Sequence, residues 1–479
     1  MNLRLARRAR SKCAFSLPLS EPEGPRNGAA AARSFHEVQP APARRHVSDS
    51  WDTLLVVGIF VSIWAIVVGA FASGLFEPLF EAAAQGRWSA VMLRPSVLWF
   101  AMGVLLLTLR TALWVGYRER APATYDDAPL LTVVIPAFNE GAMVERTIDS
   151  CVAASYPRGR LEIIVVDDGS RDDTWMHIER AARRHPGLVT PIRFPENRGK
   201  RAALAAGFER GRGSVFVTID SDSVIEPQTL LAMAGPFREA RIGAVAGKVV
   251  VLNRHRGWIP KMLQVRFTLS FDFLRTAQST YGSVYCCPGT LAAYRASLVK
   301  KILPRWLNQR FLGGVCTTGE DRALTNDILA LGYDTIYQRA AVVHTVVPQN
   351  YRKLCRMYLR WDRSYIREEL RLFRILWKRP LYARCMTIFE QTFTNLRFPI
   401  AWGAMALLVM LSIEDPYTIV RVLVSIGAAA TLYALYYLRS ERSWDFVYGI
   451  VYAYFSFFAL FWIFPCALLT VRARGWLTR

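Results

Sequence analysis

The sequence predicts a cytosolic α/β domain with a doubly wound, mostly parallel sheet, inserted between α-helical transmembrane segments. Three observations predict it. Apolar runs of membrane-spanning length flank residues 125–350 on both sides. Inside that region, short apolar runs alternate with amphipathic helical patterns, as in a parallel sheet with crossover helices. Three of the runs also end in the same way: 131–135 leads into Pro136, Asn139 and Glu140, 161–166 ends at Asp167 and Asp168, and 215–219 ends at Asp220 and Asp222. In an open doubly wound sheet, ligands bind beyond the carboxyl ends of the strands, so these acids are expected to converge on one crevice.

Composition agrees with a partly membrane-embedded chain. Its 479 residues leave room for more than one domain, and a hydrophobic content of 52% is high for a soluble protein. A net charge of +22 points to an anionic membrane surface, a polyanionic substrate or nucleic acid. The last is set aside because no recognition motif accompanies the charge. The 8 cysteines include no C-x-x-C pair and no Cys/His spacing that would hold zinc, and they read as free thiols in a reducing compartment. His344 follows an apolar stretch and reads as a structural residue at a strand end.

Taken in order, residues 1–50 are rich in Arg, Ala, Pro and Ser without apolar periodicity and read as a basic disordered tail. Residues 51–118 hold two spans, 53–75 and 97–115, the second carrying Arg110 near one end. Arg44 and Arg45 precede the first span and Arg118 and Arg120 follow the second, so the positive-inside rule places both flanks in the cytosol. Residues 351–397 read as amphipathic interfacial helices: 351–377 has Leu354, Tyr358, Trp361 and Tyr365 at helical spacing with arginines interleaved, and 382–396 is a second. The C-terminal transmembrane region, 398–479, holds spans at 398–413 and 419–438. It ends in a run, 446–471: a simple span puts its basic flank outside, against the positive-inside rule, a bent or interfacial path keeps it inside, and the sequence leaves both open.

Within the middle domain, residues 215–219 are β-branched or aromatic with almost no alternation, as in a strand covered on both faces. In an extended segment i and i+2 share a side, so Asp220 and Asp222 are expected to face one ligand, and hard oxygen donors suit Mg2+ or Mn2+. An isolated Asp-x-Asp also fits a solvated turn, and other motifs must decide. The run Asn197-Arg198-Gly199-Lys200-Arg201 precedes an alanine-rich helix whose amides and basic residues suit a diphosphate. Gly319-Glu320-Asp321-Arg322 opens an amphipathic helix with Gly332 as its stop. Standing alone, the acids there suit an N-terminal cap; the functional alternative makes Asp321 a general base that takes the proton of an attacking sugar hydroxyl.

Six motifs in this order, at 134–140, 166–170, 197–201, 220–222, 319–322 and 360–361, resemble the membrane-embedded family 2 glycosyltransferases. Among these the sequence is most similar to the hyaluronan synthases and the rhizobial chitin-oligosaccharide synthase. The resemblance covers about residues 53–479 and implies a GT-A-like domain at 125–350. It implies that Glu140 and Asp168 help bind the uridine of a UDP-sugar, that Lys200 lies near its phosphates, and that Asp220 and Asp222 flank the diphosphate, with Asp222 the better metal ligand. By the same resemblance Asp321 is the base of an inverting displacement, Arg360 neutralises charge on the leaving UDP, and Trp361 stacks on the acceptor sugar.

The chain departs from that pattern in places. Met357 stands where the family has Gln, and Asp-Ser-Asp replaces the commoner Asp-Gly-Asp or Asp-Ala-Asp. Cys286-Cys287-Pro288-Gly289 resembles the cysteine-glycine segment of the chitin-oligosaccharide enzymes, and Trp476-Leu477-Thr478-Arg479 resembles the Trp-Gly-Thr-Arg gating motif. The function expected is inverting, processive transfer from a UDP-sugar, UDP-N-acetylglucosamine by resemblance, to a growing β-linked glycan, with membrane lipids as surroundings and no nucleic acid partner. The membrane expected is the bacterial inner membrane. Transfer of one sugar to a lipid carrier, or a non-catalytic polysaccharide-binding role, are the alternatives.

Overall fold

The computed structural model describes residues 50–86 and 95–473. The basic tail and the Trp-Leu-Thr-Arg ending lie outside the described residues. Two long apolar helices come first, α1 (Ser50–Ala72) and α2 (Pro95–Val115). They lead into β1 (Leu131–Ala137), α3 (Met143–Val152), β2 (Leu161–Asp167), α4 (Thr174–Arg184), β3 (Val189–Arg193), α5 (Lys200–Arg210), β4 (Val215–Ile219) and β5 (Ser223–Ile225). The chain continues through β6 (Ile242–Val251), α6 (Trp258–Thr268), a π-helical segment (Leu269–Arg275), β7 (Leu291–Arg295), α7 (Ala296–Leu307) and the hairpin β8 (Arg310–Phe311) and β9 (Gly314–Val315). Helix α8 (Glu320–Ala330) and β10 (Asp334–Thr345) complete this region. Five helices follow: α9 (Tyr351–Ile375), α10 (Leu381–Glu414), α11 (Tyr417–Glu441), α12 (Val447–Phe455) and α13 (Ile463–Leu469).

The main sheet runs β3-β2-β1-β4-β7-β6-β10-β5. Its first four strands are parallel and uninterrupted, and β1, β2 and β4 are buried along their whole length, so the unalternating apolar runs are strands covered on both faces. β7 breaks the parallel order by running antiparallel to both β4 and β6, and β5 is antiparallel to β10. Crossing β7 beside β4 brings the loop that precedes it, 286–290, to the end of β4 where the acids stand.

Four helices among the described residues are long and apolar enough to cross a membrane: Ser50–Ala72, Val97–Val115, Leu381–Glu414 and Tyr417–Glu441. The third differs from expectation. Residues 382–396 and 398–413, expected as an interfacial helix and a separate span, form one helix of 34 residues with Pro399 inside it. A proline costs a helix one hydrogen bond, but in an apolar environment the remaining backbone bonds favour continuing the helix over exposing peptide groups. The last hydrophobic run is bent by 45° between Trp444–Leu460 and Ile463–Leu469, with a second π-helical turn at Ser456–Leu460.

The end of α11 joins these helices to the sheet. Arg439 holds Asp52 of α1 at 2.7 Å, and two residues on, Glu441 holds Lys248 of β6 at 2.8 Å, with both pairs largely shielded from solvent.

Candidate active site

The acids converge at the carboxyl ends of β1, β2 and β4. Asp220 follows β4 directly, but the chain then turns instead of running on extended: the Ser223 amide donates to the Asp220 carbonyl at 3.1 Å. The shared side of Asp220 and Asp222 therefore comes from a turn between β4 and β5, and the pleat expected from the sequence does not supply it. Lys200, first residue of α5, donates to Asp220 Oδ1 and lies 3.4 Å from Glu320 Oε1, while Thr290 Oγ1 donates to Asp220 Oδ2 at 3.1 Å. Burial works against the Lys200 ammonium, yet the carboxylates of Asp220, Glu320 and Asp321 outweigh it and raise its pKa.

Asp222 accepts from Ser223 Oγ at 3.1 Å and Thr345 Oγ1 at 3.3 Å. Burial first, and then the charge of Asp220, pushes its carboxyl above the ordinary range. Two carboxylates that repel one another in this way, with hydroxyls as further oxygens, fit a divalent cation whose remaining ligands come from phosphates and water. Among the described residues, no group of three or more His, Cys, Asp or Glu side chains is gathered for a metal, so the protein's share would be Asp220 and Asp222.

Asp321 stands in the first turn of α8 behind Gly319, whose φ of 77° is left-handed. Its Oδ1 accepts the Arg322 amide at 2.8 Å, and its Oδ2 is approached by the Gly289 amide at 3.3 Å and the Cys286 thiol at 3.6 Å. The turn 286–290 thus reaches both Asp321 and Asp220. Burial, and then the neighbouring Asp321, pushes the Cys286 thiol up to about 11, so it stays protonated and donates.

Two other expected residues, Asp168 and Glu140, brace the loops that carry these groups. Asp168 is buried and its carboxylate is fully engaged: Oδ1 accepts from the Arg198 amide at 2.7 Å, and Oδ2 from the Gly199 amide at 2.9 Å and Asn197 Nδ2 at 3.0 Å. Burial raises its pKa while those amides pull the other way. It holds the loop that presents Lys200. Glu140 Oε1 accepts from Ser221 Oγ at 3.1 Å, tying the end of β1 to the Asp220–Asp222 turn.

Arg360 and Trp361 lie on α9, which meets the site where Ser364 packs on Gly319; a Cβ at Gly319 would stand 2.6 Å from that of Ser364. The exposed Trp361 ring neighbours Tyr358 and Phe267, at centroid distances of 5.7 and 6.2 Å. Met357, one turn earlier, is buried in the main core. A cavity of about 330 Å³ opens beside the loop that leads to Gly319, between the β8–β9 hairpin, Arg367 and residues 471–473, and is separate from the carboxylate cleft.

Sequence reasoning did not single out Thr290 or Glu320. Glu320 was legible as the neighbour of Asp321, whereas Thr290 has no signature of its own. His344 is buried and pairs with Glu226 at 3.0 Å, in keeping with a structural role, and the seven cysteines of the described residues are free thiols.

The family model of glycosyl transferase family 2 matches residues 132–303, the stretch that carries β1 to β7 and the Lys200–Asp220 pair. An N-acetylglucosaminyltransferase of Azorhizobium caulinodans is 32% identical over 360 residues, covering 73% of this chain and 87% of that protein. The chain belongs to glycosyl transferase family 2.

As a family 2 member it is a glycosyltransferase. It is also 34% identical to the hyaluronan synthase of Streptococcus pyogenes over 265 residues, which spans 54% of this chain and 62% of that one. In three dimensions it is similar to a mannosyltransferase from Pyrobaculum calidifontis solved with GDP-Man and Mn2+, at a TM-score of 0.54 and 22% identity, covering 76% of this chain and 99% of that chain. That likeness extends the family assignment to the fold, a GT-A-like sheet. Here the sheet is flanked by apolar helices, as in a membrane protein.

Proposed function

We propose that this glycosyltransferase uses a UDP-sugar, UDP-N-acetylglucosamine first, to elongate a β-linked glycan by an inverting displacement at the cytosolic face of a bacterial inner membrane. The observation that carries the reading is the turn 286–290, whose Gly289 amide touches Asp321 while its Thr290 hydroxyl touches Asp220. A base and a diphosphate grip held by one turn are the two halves of a sugar transfer. The names of the rhizobial and streptococcal relatives support N-acetylglucosamine as the transferred sugar and a polysaccharide as the product.

In this reading an acceptor hydroxyl lies against Asp321, which takes its proton as the oxygen attacks the anomeric carbon. The new carbon–oxygen bond forms opposite the bond that breaks to the diphosphate, and the configuration inverts. Lys200 and Arg360 meet the charge that develops on the leaving UDP. A divalent cation, Mg2+ or Mn2+, bound through Asp222 and Asp220 would supply further neutralisation of the diphosphate. Glu140 and the Asp168 loop shape the nucleoside end, and Trp361 offers a stacking face to the acceptor sugar. The arginines that follow α2 and end α11 support a cytosolic catalytic domain.

The test is UDP release by the purified chain with UDP-N-acetylglucosamine and Mn2+, followed by mass analysis of the product. Wild-type turnover with a ladder of β-linked products supports elongation, and Asp321→Asn should lower turnover by roughly 10²- to 10⁴-fold. Turnover by Asp321→Asn at the wild-type rate would remove Asp321 from its role. A single lipid-linked sugar would replace elongation by one-step transfer.

A further inference from the structure

We propose that Arg275 is a positioning residue for Asp321: from a π-helical segment seated between the membrane helices and the catalytic sheet, it pins the turn that aims the base. The inference rests on the reading of Asp321 given above and extends it to a residue that no motif contains.

The segment Leu269–Arg275 is wound as a π-helix between α6 and the short helix Thr276–Ser279. Such turns are rare and recur at functional sites, because the extra residue re-aims side chains that a regular helix would point elsewhere. Arg275 closes the segment. Its Nε donates to the Cys286 carbonyl at 2.9 Å, and its Nη1 donates to both the carbonyl and the hydroxyl of Ser270, each at 3.2 Å. The guanidinium also lies 3.8 Å from the centre of the Phe271 ring. A planar fork held by Ser270 and Phe271 has its orientation fixed, and that orientation aims its Nε–H at the Cys286 carbonyl.

Cys286 opens the turn on which Asp321 depends. Its thiol and the Gly289 amide both approach Asp321 Oδ2. The Cys287 amide donates to Thr325 Oγ1 at 3.1 Å, and that hydroxyl donates to the Asp321 carbonyl at 2.8 Å. Two groups of this turn therefore approach Asp321 Oδ2, and the turn is tied to the helix of the base through Thr325 and to the π-helical segment through the bond from Arg275 to the Cys286 carbonyl.

The middle of the segment faces the membrane helices. Trp114 of α2 donates to the Asp272 carbonyl at 2.9 Å, and Asp272 Oδ1 accepts from Arg339 of β10 at 2.5 Å. The Phe273 ring lies 4.5 Å from that of Tyr436 on α11. Seven residues thus connect two membrane helices to the turn under the base.

The experiment compares the full chain, purified in detergent, with Arg275→Met and Arg275→Lys. UDP-release kinetics are measured alongside peptide-resolved alkylation of Cys286 by a maleimide. In Arg275→Met, kcat should fall roughly 10- to 100-fold while donor KM stays within about twofold, because the base is misplaced and the nucleotide grip is not. Cys286 should be alkylated several-fold faster once its carbonyl is released. Arg275→Lys, which keeps the charge on a single nitrogen without the planar fork, should recover part of both; should Arg275→Met not fold, the same changes in smaller degree are expected of Arg275→Lys. Wild-type kcat with a wild-type alkylation rate in the variants, or a loss confined to KM, overturns the proposal. A wild-type chain that releases no UDP counts against the proposed function alone, and the alkylation arm still decides whether Arg275 holds the turn.

Discussion

The Gly289 amide lies 3.3 Å from Asp321 Oδ2, and a methyl group on the same Gly289 would stand 3.0 Å from Lys200 Nζ. One glycine therefore separates the proposed base from the ammonium that holds Asp220. Since the nearest atom is the end of a flexible side chain, Gly289→Ala should leave the fold intact and shift the Lys200 ammonium slightly against Asp220 and Glu320. The expected result is a roughly tenfold fall in kcat with a melting midpoint within a few degrees of wild type, measured by UDP release and thermal unfolding.

Lys200 also keeps two acids compatible. Lys200→Met leaves Asp220 and the buried Glu320 without their shared cation. After allowance for partial exposure, stability should fall by about 2–3 kcal/mol, and donor KM should rise. Added Mn2+ should restore more stability to the variant than to the wild type in thermal melts, since only the variant lacks a resident cation beside Asp220.

The buried Glu369 on α9 accepts from Asn395 at 3.3 Å, and burial, opposed by Arg322, pushes its carboxyl up to about 7. The folded chain binds this proton more tightly than the unfolded one does. Its contribution is therefore complete below the ordinary glutamate range, near pH 4.5, and is lost as pH rises through about 7. Glu369→Gln should flatten the decline in stability over that window and gain on the order of 2–3 kcal/mol at pH 8, read from unfolding curves across pH.

Arg110 of α2 donates to Glu390 of α10 at 2.9 Å and to Thr394 at 2.8 Å, and Glu390 also accepts from Tyr281 and Tyr285. Removing Arg110 leaves the buried Glu390 with its hydroxyl partners but without a counter-charge. Arg110→Met should cost about 3–5 kcal/mol, and the double variant Arg110→Met/Glu390→Gln should recover a large part of it, as measured by unfolding in mixed micelles.

Much of the layout was legible because it is written in local pattern. Residues 215–219 have no alternation and form β4, and the amphipathic run after Gly319 forms α8, with Gly332 in the left-handed region just beyond it. The readings that changed depend on surroundings. Residues 382–396 and 398–413 read as two helices until the chain is placed where a break would expose peptide groups. Asp220 and Asp222 read as a pleat until β5 turns the chain back against β10. Antiparallel β7 has the same apolar signature as a parallel strand, so its direction was not visible.

By itself the sequence determined β1, β2 and β4, the first two long apolar helices and the motifs that resemble family 2 glycosyltransferases, because length, periodicity and short spacings are properties of neighbouring residues. Only the tertiary structure decided which groups meet: Lys200 with Asp220 across 20 residues, Gly289 with Asp321 across 32, and Arg275 with the carbonyl of Cys286. Those contacts depend on the crossing of β7 beside β4 and on a π-helical turn that re-aims one arginine. Such contacts are set by how distant segments pack, and no local pattern in the chain encodes that.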